Sequence, residues 1–247
     1  MVQARAAHAA ALQTNMPETG RCSRRLWTGI LLLAGSLLLS GCATHGTQQT
    51  DLHPDTSGWR ELFAANLTNA DMKPGEWVME DGVLSAKGHG TIWTRESYAD
   101  FVLDLEFKVA REANSGVFLR AGDTQNVLSA LELQVHESKD GSKYGMVGAL
   151  YDAVPPSKDM AKPVGEWNRF TITCQGSHVS VVFNGEEVIH IDLDDWTEAR
   201  KNPDGTPNKF GVPLKEFSRN GPIGFQGLHG AAAAPVWYRN IKIKGLD

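Results

Sequence analysis

Glu132, Gln134 and His136 occupy alternate positions in a stretch whose other members, Leu131, Leu133 and Val135, are apolar. Alternate side chains of an extended strand share a face, so an acid, an amide and an imidazole stand together opposite the apolar set. At ~3.3 Å per residue, Glu132 and His136 lie roughly 13 Å apart along that strand. Such a face suits a hydroxyl-rich ligand such as a sugar, with two groups able to move protons. A plain solvent face gives the same alternation. Other residues join the candidates from their own settings. Asn114 and Arg120 bracket Asn114-Ser115-Gly116-Val117-Phe118-Leu119-Arg120, with Arg120 on the phase opposite Val117 and Leu119. Lys162 leads out of a long insertion, Gln226 alternates with Ile223 and Phe225, and His229 precedes a glycine. Trp93 is either a core residue or a platform for a sugar ring.

Several chemistries are not spelled. There is no His-Glu-x-x-His, no cysteine pair and no calcium loop, although Glu132, His136 and His229 are candidates for a divalent metal if they converge. There is no Gly-x-Ser-x-Gly and no phosphate loop, which removes serine hydrolases and nucleotide enzymes.

The elements that must carry these residues have a period of two. Phe101–Val109, Leu131–Val135 and Phe170–Cys174 all alternate apolar with polar. Asn184-Gly185 and Asp81-Gly82 stand between such runs and read as tight hairpin turns, whose central residues need positive φ. With 25 Gly and 11 Pro, long helices are disfavoured; Asp194–Lys201 is the one short helix expected. About ten short strands then predict an antiparallel two-sheet sandwich, with long loops at 138–163 and 202–220.

Together, WRELF (59–63), TIWT (91–94), NSGVFLR (114–120), ELQ (132–134), GALYD (148–152), KPVGEWN (162–168), Asn184-Gly185 and VWYRNIKIK (236–244) fall in an order that resembles the 3-keto-disaccharide hydrolases. The resemblance runs from about Trp59 to Gly245. It implies an all-β, concanavalin-like jelly-roll sandwich with long loops over one concave face, and it adds Tyr151 to the substrate-binding candidates. The implied substrate is a glycoside whose glucose C3 is already a ketone. That ketone acidifies the C2 proton, so a base makes an enolate that expels the C1 substituent, and water then adds to C1. Glu132 or His229 would serve as base and acid, with Lys162 or a divalent metal on the enolate. Trp93, Asn114, Arg120, Gln134, His136, Tyr151 and Gln226 would hold the saccharide. Two alternatives stay open: a retaining β-glucanase that needs Glu137 on the same face through a bulge, and a lectin-like module with no catalysis.

The N-terminal region gives the compartment. Arg21, Arg24 and Arg25 precede an apolar run beginning at Leu26, which reads as an export signal too short for a stable membrane span. The run ends in Leu39-Ser40-Gly41-Cys42, which resembles a bacterial lipobox, so residues 1–41 are expected to be removed, with Met16 an alternative start. Cys42 would then carry lipid, residues 42–57 would be a tether, and 58–247 the folded domain. Ala43 rather than Asp after the cysteine favours the outer membrane by resemblance to the sorting rule. Removing four Arg and one Glu from 24 basic and 29 acidic residues leaves 20 against 28, a charge of −8. That balance excludes a nucleic-acid partner of the usual basic kind. Cys174 alone remains in the domain, so it has no disulfide partner there. In a bacterial host, labelled palmitate is expected to enter the wild-type chain and to be absent from Cys42→Ser; equal labelling of both would remove the anchor.

Overall fold

A computed structural model describes residues 51–137 and 142–246. The leader, Cys42 and most of the tether lie outside the described residues. Thirteen strands are present: β1 (Arg60–Glu61), β2 (Ala70–Asp71), β3 (Trp77–Glu80), β4 (Val83–Ala86), β5 (Ile92–Tyr98), β6 (Phe101–Val109), β7 (Asn114–Leu119), β8 (Leu131–His136), β9 (Asn168–Gln175), β10 (His178–Phe183), β11 (Glu186–Asp192), β12 (Gly221–Phe225) and β13 (Val236–Gly245). They form two antiparallel sheets. The larger has the order β11-β10-β9-β6-β13-β4-β3, with β1 beside β13; the smaller has the order β2-β5-β12-β7-β8. The all-β sandwich expected from the alternation is therefore the architecture.

The two hairpin turns behave as their sequences require. Asp81 and Gly82 have φ of 49° and 75°, and Asn184 and Gly185 have 48° and 91°. No α-helix occurs among the described residues, and the expected helix at 194–201 is reduced to a single 3-10 turn at Leu193–Asp195. Without a sustained apolar stripe of helical period, nothing holds a longer helix on the sheet.

The core lies between the sheets, where Phe107, Phe170 and Phe183 form a row across β6, β9 and β10 of the larger sheet, with centroids 4.6 Å apart in successive pairs. Leu131, Leu133 and Val135 of β8 enter it, as do Val117 and Leu119 of β7 and Ile223 and Phe225 of β12. Cys174 is fully enclosed there, and burial pushes its thiol up to about 12, so it behaves as a small apolar residue. Ser115 is a polar member of it: its hydroxyl is shared between the Gln226 carbonyl and the Tyr238 hydroxyl, each at 2.7 Å.

The larger sheet's outer face is partly covered by the segment leading into the domain. His53 Nε2 accepts from Gly185 N at 3.0 Å, so its Nδ1–H is the donor to Thr171 Oγ1 at 2.7 Å. Thr171 in turn donates to Asp104, and Arg169 Nε donates to the same carboxylate at 3.0 Å. Desolvation, more than the nearby Arg169, lowers the His53 pKa and keeps the ring neutral.

Arg120 does not serve a ligand. It ends β7 in the left-handed region, φ 50°, so strand alternation no longer decides which way its side chain goes. The residue is 2 % exposed. Its guanidinium donates to Ala99 O at 2.6 Å, to Gly176 O at 2.7 Å and to Asp100 Oδ1 at 3.0 Å. Those bonds join the β5–β6 turn to the β9–β10 turn. Arg120→Met would leave the Ala99 and Gly176 carbonyls without this donor and the Asp100 carboxylate with the Gly176 N–H in place of a cation. The expected cost is about 2–4 kcal/mol, read as a lower urea midpoint, with no specific loss of ligand binding in the fraction that stays folded.

Candidate functional site

The outer face of the smaller sheet gathers the polar residues. β7 and β8 pair without a bulge from Asn114↔His136 to Leu119↔Leu131. Gly116 therefore stands opposite Gln134, and Phe118 opposite Glu132. On the other side of β7, Gln226 N donates to Gly116 O at 2.9 Å, which places Gln226 in the same row. Two glycines make the floor: a Cβ on Gly116 would come within 2.5 Å of Glu132 Oε1, and one on Gly224 within 2.4 Å of the Trp93 ring. Glu132 thus lies over Gly116, between Gln134 and Gln226.

Glu132 is 8 % exposed. Burial raises its carboxyl pKa, against the lowering effects of Lys209 and then His229. Lys209 Nζ stands 3.3 Å from Glu132 Oε2 and 4.2 Å from the centre of the Tyr151 ring. Tyr151 is held there because its N–H donates to Glu132 O at 2.8 Å, part of an irregular run along the free edge of β8. Phe210 anchors Lys209: it is fully buried, and its N–H and carbonyl bond to the Asn208 side chain and to Arg200 N. The neighbouring turn is fastened by Tyr144, whose hydroxyl donates to Asp204 Oδ2 at 2.6 Å. The bonds from Thr206, and then the one from Tyr144, hold the Asp204 carboxyl pKa down at about 2.

The remaining candidates divide. Gln134 Nε2 donates to Asn114 Oδ1 at 3.0 Å. His229 bridges to Asn114 through the backbone, and its charge reaches Glu132. Gln226 Oε1 is buried with no hydrogen-bond partner. Such an acceptor costs about 1–3 kcal/mol unless a donor arrives, and a ligand hydroxyl is a suitable donor. Glu132, Gln134, Gln226, Asn114 and His229 are therefore brought together, with His136 at the far end of the strand.

Trp93 is 7 % exposed and stacks on Phe118 at 5.5 Å, so it is a wall of the site with little ring left for a sugar. Lys162 is elsewhere: its ammonium donates to Trp167 O at 3.0 Å, and it lines a cavity of about 1050 Å³ with His136, Asn114 and Glu112. This cavity, at the end of the sandwich, does not include Glu132. Nor do the metal candidates converge: among the described residues, no three His, Cys, Asp or Glu side chains are grouped to hold an ion. Glu137 stays off the strand and accepts from Glu112 N at 3.2 Å, so the paired carboxylates of a retaining glucanase are not assembled.

Sequence reasoning missed Lys209, which sits in an irregular insertion with no period or motif. The available signal was its neighbour: an aromatic residue amid polar ones must bury itself, and thereby fixes the residue beside it.

A sequence profile of the 3-keto-alpha-glucoside-1,2-lyase-like domain matches residues 54–244. The chain belongs to this family. It is 26 % identical over 232 residues to a 3-keto-disaccharide hydrolase of Bacteroides thetaiotaomicron, covering 78 % of this chain and 80 % of that one. Among solved structures, a candidate glycosyl hydrolase of Parabacteroides distasonis is 38 % identical with a TM-score of 0.73, covering 76 % of this chain and 99 % of the other. A second from the same organism is 26 % identical with a TM-score of 0.57, covering 77 % and 84 %. In this 3-keto-glucoside lyase-like domain the buried carboxyl depends on the space above Gly116. Gly116→Ala is expected to displace the Glu132 side chain while the fold holds, because the clash is with a side chain rather than backbone. An unchanged melting temperature with at least about tenfold lower turnover, the scale that misplacing a group by about an ångström can produce, is the expected pair of readings.

Proposed function

We propose that this domain cleaves 3-keto-glycosides by elimination of the C1 substituent and hydration of the product. The observation that carries the reading is the buried Glu132 carboxyl with the Lys209 ammonium 3.3 Å away, on a polar face of a family member. A carboxyl raised above its ordinary range is a stronger base toward a carbon acid. Glu132 takes the C2 proton, and the C2–H electron pair becomes an enolate whose charge rests on the C3 oxygen beside Lys209. The enolate re-forms the ketone, the C1–C2 double bond forms and the C1–O bond breaks. His229 gives the leaving oxygen its proton. Water then adds to C1 while C2 regains a proton, and the net change is hydrolysis. The role first expected of Lys162 passes to Lys209, because that cation is the one in contact with the carboxyl. Attachment to the outer membrane through lipidated Cys42 is the companion proposal, supported by the leader and lipobox pattern.

Proton transfer by a placed side chain is worth about 10²–10⁴-fold. Glu132→Gln is expected to lower kcat on a 3-keto disaccharide by that range. Because the folded carboxyl pKa is raised, its favourable contribution is present below the unfolded pKa and lost as pH rises through the folded value. The glutamine variant should therefore be no less stable than wild type at pH 7. Wild-type turnover by the variant would remove the role. Lys209→Met takes away a cation that lowers the Glu132 pKa, so the acid limb of the rate profile should move to higher pH. Turnover of unmodified glucosides would point to a glycosidase of the ordinary kind, and binding without turnover to a lectin.

A further inference from the structure

We propose that the cavity on the far side of Lys209 is a leaving-group site that takes an apolar, aromatic aglycone of the phenol class. The proposal rests on the reading of Glu132 and Lys209 as the reacting pair. This cavity, of about 390 Å³, is lined by Leu128, Val212 and Phe217 together with Asn126, Ser129, Arg200, Glu216 and Ser218, and Lys209 also lines it. Lys209 is the same residue whose ammonium meets Glu132. A substituent leaving C1 beside that pair would therefore have this cavity next to it, and the volume falls within the range of small-ligand sites.

The lining draws together exposed apolar side chains, whereas the larger cavity has one of them, Val164. Only six large apolar side chains are exposed among the described residues. Two of them, Leu128 at 46 % and Val212 at 48 %, line this cavity, and a third, Tyr151, lies under the Lys209 ammonium. Scattered apolar residues need no explanation, but a gathering beside a candidate reaction centre does. The walls are also built in advance. Phe217 meets Phe210 edge to face at 5.4 Å, and Arg219 ties the Leu214 and Phe217 carbonyls at 3.2 Å each. On the opposite wall, the Asn126 side chain caps the turn that carries Leu128.

The contrast with the opposite end of β8 sharpens the assignment. The larger cavity there has apolar wall from Phe107, Val109, Val147 and Val164, but it adds the charged set Arg111, Glu112, Glu137 and Lys162 with His136, donors and acceptors suited to sugar hydroxyls. A second sugar seated against Leu128 and Val212 would place hydroxyls on aliphatic carbon. An aromatic ring would bury it, and the cation of Arg200 in the lining suits the electron-rich face of a phenol.

The test uses the folded chain and the double variant Leu128→Ser/Val212→Ser, whose sites are exposed and outside the reacting pair. Turnover of a 4-nitrophenyl 3-keto-glucoside and of a 3-keto disaccharide is compared. The variant is expected to lose about tenfold or more in kcat/KM on the aryl substrate, the scale of lost methyl contacts in an apolar pocket, and less than twofold on the disaccharide. Equal losses on both substrates, or none on either, would overturn the proposal. Methyl NMR with unoxidised 4-nitrophenyl glucoside gives a readout that needs no chemistry. Shifts at the Leu128 and Val212 methyls are expected, and their absence at millimolar probe would sink the site. If those methyls move while neither keto substrate is turned over, the reacting pair has been misread and the aryl site stands.

Discussion

The site depends on one electrostatic arrangement: a carboxyl kept from water, with the Lys209 ammonium against it. Burial by itself would drive Glu132 to its neutral form, and Lys209 by itself would pull it toward an ordinary acid. With both present, the carboxyl stays raised, as the proposed role of base toward a carbon acid requires. The arrangement is possible only because the floor beneath is glycine. Any side chain at 116 would occupy the space into which Glu132 folds.

The rest of the sandwich serves to hold that arrangement still. β7 and β8 pair in unbroken register, so Glu132, Gln134 and His136 cannot change face without moving Leu131, Leu133 and Val135 out of the core. Lys209 has no strand beneath it and is fixed instead by burial of Phe210 and by the Tyr144–Asp204 link between two loops. Rigid sheet and anchored loop thus meet at one ion pair. The unpartnered Gln226 oxygen beside it is a local cost that a hydroxyl-bearing ligand would relieve.

Much of this was legible before folding was considered. Alternation in 131–136 places the acid, amide and imidazole on one face, and the Asn-Gly and Asp-Gly turns announce their hairpins, because side-chain direction in a strand and positive φ in a turn are local properties. Arg120 shows where that logic stops. One left-handed residue at the end of β7 turned its side chain away from the face that alternation assigned it. Trp93 kept its face but not its freedom, since Phe118 from another strand covers it.

The amino-acid order determined the two-sheet fold, the apolar and polar faces, and the family, since each is carried by short-range pattern or by motifs in series. The choice of cation was tertiary. Lys162 and Lys209 both sit in irregular insertions, and no local rule says which one reaches a carboxyl on β8. That depends on how loops far apart in sequence are tied down: by Trp167 O for Lys162, and by the burial of Phe210 for Lys209. The raised carboxyl is tertiary for the same reason, because desolvation is a property of everything around a group and not of its neighbours along the chain.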